Sequence, residues 1–421
     1  MPNVSFYGLL LVAIVAFAAP LLLGLSPARR LPSVVLEIVA GIIIGPAGLG
    51  WVKVDVPTSI PSLVGLAFLL FLAGLEVELD RLKGRLLLVV GASFLLSFGL
   101  ALLVGYGLST GGLVKSPLLV AIILCATSLG VVSPVLEDAG ESESNFGQLV
   151  IAGATIADFG PIILLSLFFS REATSTGTKL FLLGSFLLLA LVFALVVLGL
   201  ERSMRFAPVL LKLQDTTAQI RVRGAFVLLV AFVALAQRLG LEVILGAFLA
   251  GVILRLVDQD RMRTHPEFRQ KLEAIGFGVF IPIFFVVTGI QFDLTALFST
   301  DSTIVLLPIF LGALLIVHGV PAMLYRPRVG NRRFVVAGLV QSVSLPFIVA
   351  ASQIGMELGL LSKATGAALI TAGLLSVVLF PILALTLLRR GDVKSSPSSV
   401  QNCMANSLSK ATQEQEREMK T

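Results

Sequence analysis

The chain has 421 residues, of which 57% are hydrophobic and 13% charged, and its 39 glycines bring the apolar share to about two thirds, against about half in soluble proteins. An ordinary water-soluble enzyme is thereby excluded, and two cysteines, Cys125 in an apolar run and Cys403 in a polar stretch, exclude a disulfide framework or a cysteine metal cluster. A net charge of +6 would point to nucleic acid in a soluble protein, but in a membrane chain it reflects basic loops on one face, so no nucleic-acid partner is expected.

Uncharged stretches of about 20 residues are long enough for a helix to cross a bilayer, and about thirteen occur. In chain order they run Phe6 to Leu25, Ser33 to Leu49, Ile60 to Leu75, Leu86 to Leu108, Leu118 to Leu136, Phe146 to Phe169 and Leu180 to Leu200. The second half continues Gly224 to Ala236, Val243 to Leu254, Ile275 to Ile290, Thr303 to Leu324, Phe334 to Ile354 and Ala364 to Leu388. The runs are continuous and not alternating, which predicts an all-α polytopic membrane protein and not a membrane barrel. No basic residue precedes the first run and Arg29 and Arg30 follow it, the reverse of a cleavable signal peptide.

Counted over alternate loops, 25 of the 31 Lys and Arg fall on one face. The positive-inside bias then predicts an outside N-terminus, a cytoplasmic C-terminus and a plasma (inner) membrane location. From Gly391 the composition turns to Ser, Gln, Glu and Lys, which cannot bury enough apolar surface to fold alone. Residues 391–421 are therefore predicted to be a disordered cytoplasmic tail behind a membrane domain of residues 1–390. No GxxxxGK[ST] phosphate loop occurs, so ATP is not expected to drive the protein and no cofactor is called for.

Ionisable groups in mid-span are costly and therefore informative, at ~2.5 to 3.5 kcal/mol or more each. Asp158, in Ala154-Thr-Ile-Ala-Asp-Phe-Gly-Pro161, is the most deeply placed carboxylate. It either carries a proton or cation or hydrogen-bonds to a neighbouring helix. Glu37 and Glu76 lie near the cytoplasmic ends of their spans, where snorkelling favours simple packing roles, and Glu242 reads as interfacial. His318, in the eleventh span, is either a modulator of the site or a helix-to-helix hydrogen bond. The loop carrying Glu137, Asp138, Glu141 and Glu143 has no basic residue; it is either a cation-attracting mouth or a solvated charge run.

The fifth span reads Cys125-Ala-Thr-Ser-Leu-Gly-Val-Val-Ser-Pro134 at its centre, and the twelfth reads Gln341-Ser-Val-Ser-Leu-Pro346. Such residues weaken a helix and free backbone carbonyls. Two interrupted helices, each central to a group of three spans and entering from opposite sides, predict an inverted-repeat transporter with a midplane site. Ordinary Pro-kinked helices would leave a similar pattern.

These residues resemble the cation:proton antiporter superfamily, in particular its Nap-type and Kef-type branch. The match rests on Leu36-Glu-Ile-Val-Ala-Gly-Ile-Ile-Ile-Gly-Pro46, Phe71-Leu-Ala-Gly-Leu-Glu-Val-Glu-Leu-Asp80, Ala126-Thr-Ser-Leu-Gly130, Asp158, Ile244-Leu-Gly-Ala-Phe-Leu-Ala-Gly-Val252 and Ile281-Pro-Ile-Phe-Phe-Val-Val-Thr-Gly289. The resemblance implies an NhaA-like antiporter fold, with inverted repeats and two crossing broken helices. It implies a mobile core of about residues 86–169 and 303–388, with the remaining helices forming a dimer and scaffold domain. The family's essential acid is the second of an Asp-Asp or Asn-Asp pair; here the pair is Ala157-Asp158. A family Lys in the eleventh span is replaced at what looks like its position by His318, so one titrating carboxylate is left.

The reading is a secondary active monovalent cation:proton antiporter, sodium favoured with potassium or lithium as alternatives, and not an enzyme. A carboxylate that holds either a proton or an alkali cation, but not both, couples the two by competition. Asp158 is expected to carry the exchange, Thr127 and Ser128 to supply oxygen ligands, and Ser342 and Ser344 to face the same cavity, with Gln341, Ala157 and His318 as modulators. A single acid predicts electroneutral one-for-one exchange. A Kef-type potassium efflux antiporter, a sodium-coupled organic-anion symporter of the same architecture and a non-transporting membrane scaffold are the alternatives.

Overall fold

The structure, a computed structural model, describes residues 6–25, 32–77, 84–169, 184, 188, 219–257, 267–298 and 301–392. Among them every regular element is helical. The seventh predicted span, Leu180 to Leu200, lies outside the described residues apart from Gly184 and Leu188, as does the stretch after residue 392.

The helices follow the apolar runs, with ends set by local chemistry. Helix α1 is Tyr7–Leu25. Helix α2, Ser33–Ile44, stops short of the predicted Leu49 because Gly45 and Pro46 interrupt it. Helix α3, Val56–Glu76, starts four residues before the apolar run at a capping box: Asp55 Oδ1 accepts from the Thr58 N–H at 3.1 Å, and Thr58 Oγ1 accepts from the Asp55 N–H at 2.9 Å. Helix α4 is Gly84–Thr110. The fifth span is two helices, α5 (Pro117–Leu124) and α6 (Leu129–Asp138), and the sixth is α7, Asn145–Phe168, capped by the Ser144 hydroxyl.

Helix α8, Ile220–Arg238, and α9, Val243–Val257, form the eighth and ninth spans. The tenth begins earlier than hydropathy predicts, as the charged α10 (Glu267–Ile275), and continues through a π-helical turn, Gly276–Phe280, into α11 (Ile281–Gln291). A single turn, α12 (Leu294–Leu297), leads to α13 (Asp301–Ala322) and a 3-10 turn, Met323–Tyr325. The twelfth span is again two helices, α14 (Arg326–Gln341), bent at Gly330 with φ +83°, and α15 (Pro346–Glu357). Helix α16, Lys363–Asp392, completes the set. Nine stretches of the described residues are long and apolar enough to cross a membrane, and Ser33–Ile44 and Val243–Leu256 are shorter apolar helices.

Two groups of helices pack chiefly within themselves. The first comprises α1–α3 and α8–α11, and the second α4–α7 and α13–α16. Contacts between the groups are sparse and centre on α3 against α6 and α9 against α7, where Phe159 and Phe248 stack with ring centroids 6.4 Å apart.

Beyond the end of α11, Asp293 caps α12, accepting from the Ala296 N–H at 2.9 Å and the Thr295 hydroxyl at 2.6 Å, with Lys363 Nζ 3.9 Å away. The Thr295 hydroxyl bond, then the Ala296 N–H and the Lys363 charge, hold this carboxyl below the usual carboxylate range. A lowered folded pKa contributes stability above the unfolded value that is lost as pH falls through the folded one. Asp293→Asn is therefore expected to lower the melting temperature in detergent slightly at neutral pH, with the difference from wild type closing in acid.

Candidate functional site

The two helix breaks meet. The Ser128 N–H donates to the Val343 carbonyl at 2.9 Å, so the segment between α5 and α6 is hydrogen-bonded to the segment between α14 and α15. The Thr127 hydroxyl donates to the Gln341 carbonyl at 2.6 Å, and the Thr127 N–H to the Ala157 carbonyl at 3.1 Å. Ala157 thus contributes through its backbone. These bonds satisfy carbonyls and amides that the interruptions leave unpaired in the apolar interior, where an unmade bond is costly.

His318 reaches the same place from α13. Its Nε2 lies 3.1 Å from the Leu124 carbonyl oxygen, one of the last of α5, and its Nδ1 lies 3.4 Å from Thr127 Oγ1. The Leu124 carbonyl can only accept, so a neutral imidazole carries its proton on Nε2 and donates to a helix end that would otherwise lack a partner. The longer Nδ1 approach to Thr127 is a contact between two acceptors once the Thr127 proton is given to Gln341. Behind it, the Gln341 side chain donates to the Val150 carbonyl at 3.3 Å. The buried Tyr325 hydroxyl hydrogen-bonds with the side chains of Ser93 and Gln341. Gly153 makes room for this group, because a Cβ there would stand 2.6 Å from Tyr325 Oη and closer still to the Gln341 amide nitrogen.

Asp158 lies on α7 beside the crossing and is half-buried. The Leu129 N–H, the first of α6, donates to its carboxylate. That helix start carries partial positive charge and favours an anion. A second carboxylate faces it from the first group of helices. Glu76, the last residue of α3, is near enough for its charge to act on Asp158, and its Oε2 lies 3.9 Å from where a Cβ on Gly130 would stand. Arg269 of α10 approaches Glu76 from the other side, with Nη2 4.0 Å from Oε1, while its Nε bonds Glu273 Oε1 at 2.6 Å.

The predicted hydroxyl ligands divide. Ser128 is buried beside Asp158's partner helix, with its N–H used in the crossing. The Ser342 hydroxyl donates to the Gly338 carbonyl at 2.7 Å and reaches the Leu314 carbonyl at 3.2 Å. The Ser344 hydroxyl is fully buried with no hydrogen-bond partner among the described residues. The Glu141 carboxylate of the acidic loop pairs with Arg333 of α14 at 2.6 Å, and so ties the end of one broken span to the start of the other. Sequence reasoning left out Glu76 as a site residue, because it read as the end of a span.

A carboxylate pair at the junction of two broken helices can bind and release a proton or a hard monovalent cation, whose preferred ligands are oxygens. The family described as "Sodium/hydrogen exchanger, transmembrane" matches residues 12–389. The putative Na(+)/H(+) antiporter YjbQ of Bacillus subtilis is 32% identical, over 97% of this chain and 67% of the relative. The probable Na(+)/H(+) antiporter 3 of Methanocaldococcus jannaschii is 28% identical over 90% of this chain and 95% of the relative. In fold, the chain is similar to the sodium proton antiporter MjNhaP1 of Methanocaldococcus jannaschii at pH 8, with a TM-score of 0.63 and 18% identity, over 90% of this chain and 97% of that one.

Proposed function

Because the chain belongs to the sodium/hydrogen exchanger family of integral, multi-pass membrane proteins, we propose that it exchanges sodium for protons at Asp158. The observation that carries the reading is one arrangement: a mid-span carboxylate at the start of α6, where two broken helices cross and Glu76 faces it. Protonated, Asp158 is neutral and has no hold on a cation; ionised, it binds one with the help of neighbouring oxygens. The hydroxyls of Ser128 and Ser344 and the opened backbone are the candidates, with Glu76 a further carboxylate ligand. The Thr127 oxygen keeps a lone pair but is first of all a tie between the breaks.

Alternating access follows from the packing. The second group of helices is assigned as the mobile core and the first as the scaffold, and the core rocks across the sparse α3–α6 and α7–α9 contacts. The scaffold would also pair two copies into a homodimer. The N-terminus is assigned to the outside, the C-terminus to the cytoplasm and the protein to the plasma membrane, and the Nap/Kef-type branch rests on the motifs alone. Arg269 offsets the charge of Glu76, so only Asp158 changes charge in the cycle, which supports one-for-one exchange.

The test is proton movement in proteoliposomes on separate addition of Na⁺, K⁺ and Li⁺, with the membrane potential clamped by ionophore. Expected is cation-dependent proton release, strongest with Na⁺, at a rate that is indifferent to the imposed voltage. Movement that requires an organic solute would replace antiport by symport, and a voltage-driven current would overturn one-for-one exchange.

A further inference from the structure

Arg269 is placed between two carboxylates that belong to different tasks. Glu273 lies one turn along α10, and Glu76 faces Asp158 and the start of α6. The guanidinium divides its fork between them: Nε is bonded to Glu273 at 2.6 Å, and Nη2 stands 4.0 Å from Glu76, beyond hydrogen-bonding distance. Its side chain is 52% exposed and those of Glu76 and Glu273 are 25% and 36% exposed. Pairs this open are held by only ~0.2 to 1 kcal/mol, so the guanidinium can shift between partners at little cost.

We propose that Arg269 is a tethered counter-cation that competes with the transported ion for Glu76. This rests on the antiport reading above. When the site is protonated at Asp158, the guanidinium leans on Glu76 and offsets its charge. When an alkali cation enters, it takes both Asp158 and Glu76, and the guanidinium withdraws fully to Glu273. When the ion leaves, Arg269 returns and covers the bare carboxylate. The total charge of the four side chains and their cargo is the same in both states: a proton on Asp158 is exchanged for one monovalent cation, and Arg269 only changes neighbours. The arginine thus lowers the cation's affinity and speeds its release.

Two substitutions separate this role from a structural brace. In proteoliposomes at alkaline pH, where protons compete least, Arg269→Gln is expected to lower the apparent KM for sodium by about two- to fivefold, the size of a half-exposed charge pair. Glu273→Gln frees the arginine to stay on Glu76 and is expected to raise KM by a similar factor. Arg269→Lys, which keeps the charge, is expected to hold KM near wild type. A brace that merely joins α10 to α3 would respond to loss of either end in the same direction. KM shifts of the same sign in the two glutamine variants, or no shift in either, overturn the inference while active wild type leaves antiport standing. Wild type that moves no protons with any alkali cation removes the antiport reading and this inference with it.

Discussion

Asp158→Asn is expected to reduce sodium-dependent proton movement to the level of empty liposomes while leaving the fold intact. The carboxamide is nearly the same size as the carboxylate and its oxygen still accepts from the Leu129 N–H, so the packing around α6 and α7 is kept. What disappears is the exchangeable proton and the negative charge, and each is needed in one half of the cycle. Asp158→Glu restores the titrating group but moves it by one methylene, and a partial rate is expected. Glu76→Gln removes the facing carboxylate only. Its expected signature is a raised KM for sodium with proton coupling preserved, because Asp158 still exchanges its proton. The measurements are initial rates from an entrapped pH dye, with melting temperature in detergent as the control for folding. Full exchange by the Asp158→Asn protein would move the site elsewhere, with Glu76 the first residue to be tested.

Much of this site is legible from composition, because a bilayer makes polar residues expensive. A carboxylate twelve residues inside an apolar run, and clusters of Ser, Thr, Gly and Pro at the centres of two others, have few cheap explanations. Both clusters coincide with real breaks, Cys125–Ser128 and Ser342–Leu345. Glu76 was hidden by an assumption about depth: the end of a span is taken to be the membrane surface. Here α3 ends beside the first turn of α6, and α6 itself starts in the middle of a span. Only the packing of α3 on α6 brings the two acids together. Ser342 and Ser344 read alike in sequence, two residues apart in the same break, yet one hydroxyl is spent on the Gly338 and Leu314 carbonyls and the other meets no partner among the described residues. The tenth span hid its first helix for a different reason. Glu267, Arg269, Lys271 and Glu273 make α10 polar, so hydropathy saw only the apolar helix that follows.

Gly251→Ala and Gly289→Ala are expected to be among the most destabilising small substitutions in the chain. A Cβ on Gly289 would collide with the Ile38 carbonyl oxygen, and one on Gly41 opposite it with that of Val286. Likewise a Cβ on Gly251 would meet the Phe71 carbonyl oxygen, and one on Gly74 that of Phe248. In each case the obstacle is backbone, which cannot rotate away, so helices α2 and α11, and α3 and α9, would have to separate along their length. Overpacking of this kind costs ~1 to 3 kcal/mol even where side chains can yield, and close approach through small residues is a main source of helix association in lipid. Loss of monodisperse protein or a melting temperature lowered by several degrees in detergent is the expected readout. Gly91→Ala and Gly99→Ala, where nothing lies within 4 Å of the added atom, should behave as wild type, and equal damage from all four would refute the close-packing argument. The same contacts bear on transport. Backbones locked at this distance cannot slide past each other, so α2, α3, α9 and α11 move as one body. Between the two groups the contacts of α6 and α7 against α3 and α9 are thin and flank Asp158 and Glu76, and on α15 the Gln353 amide donates to the Thr288 hydroxyl of α11 at 3.1 Å.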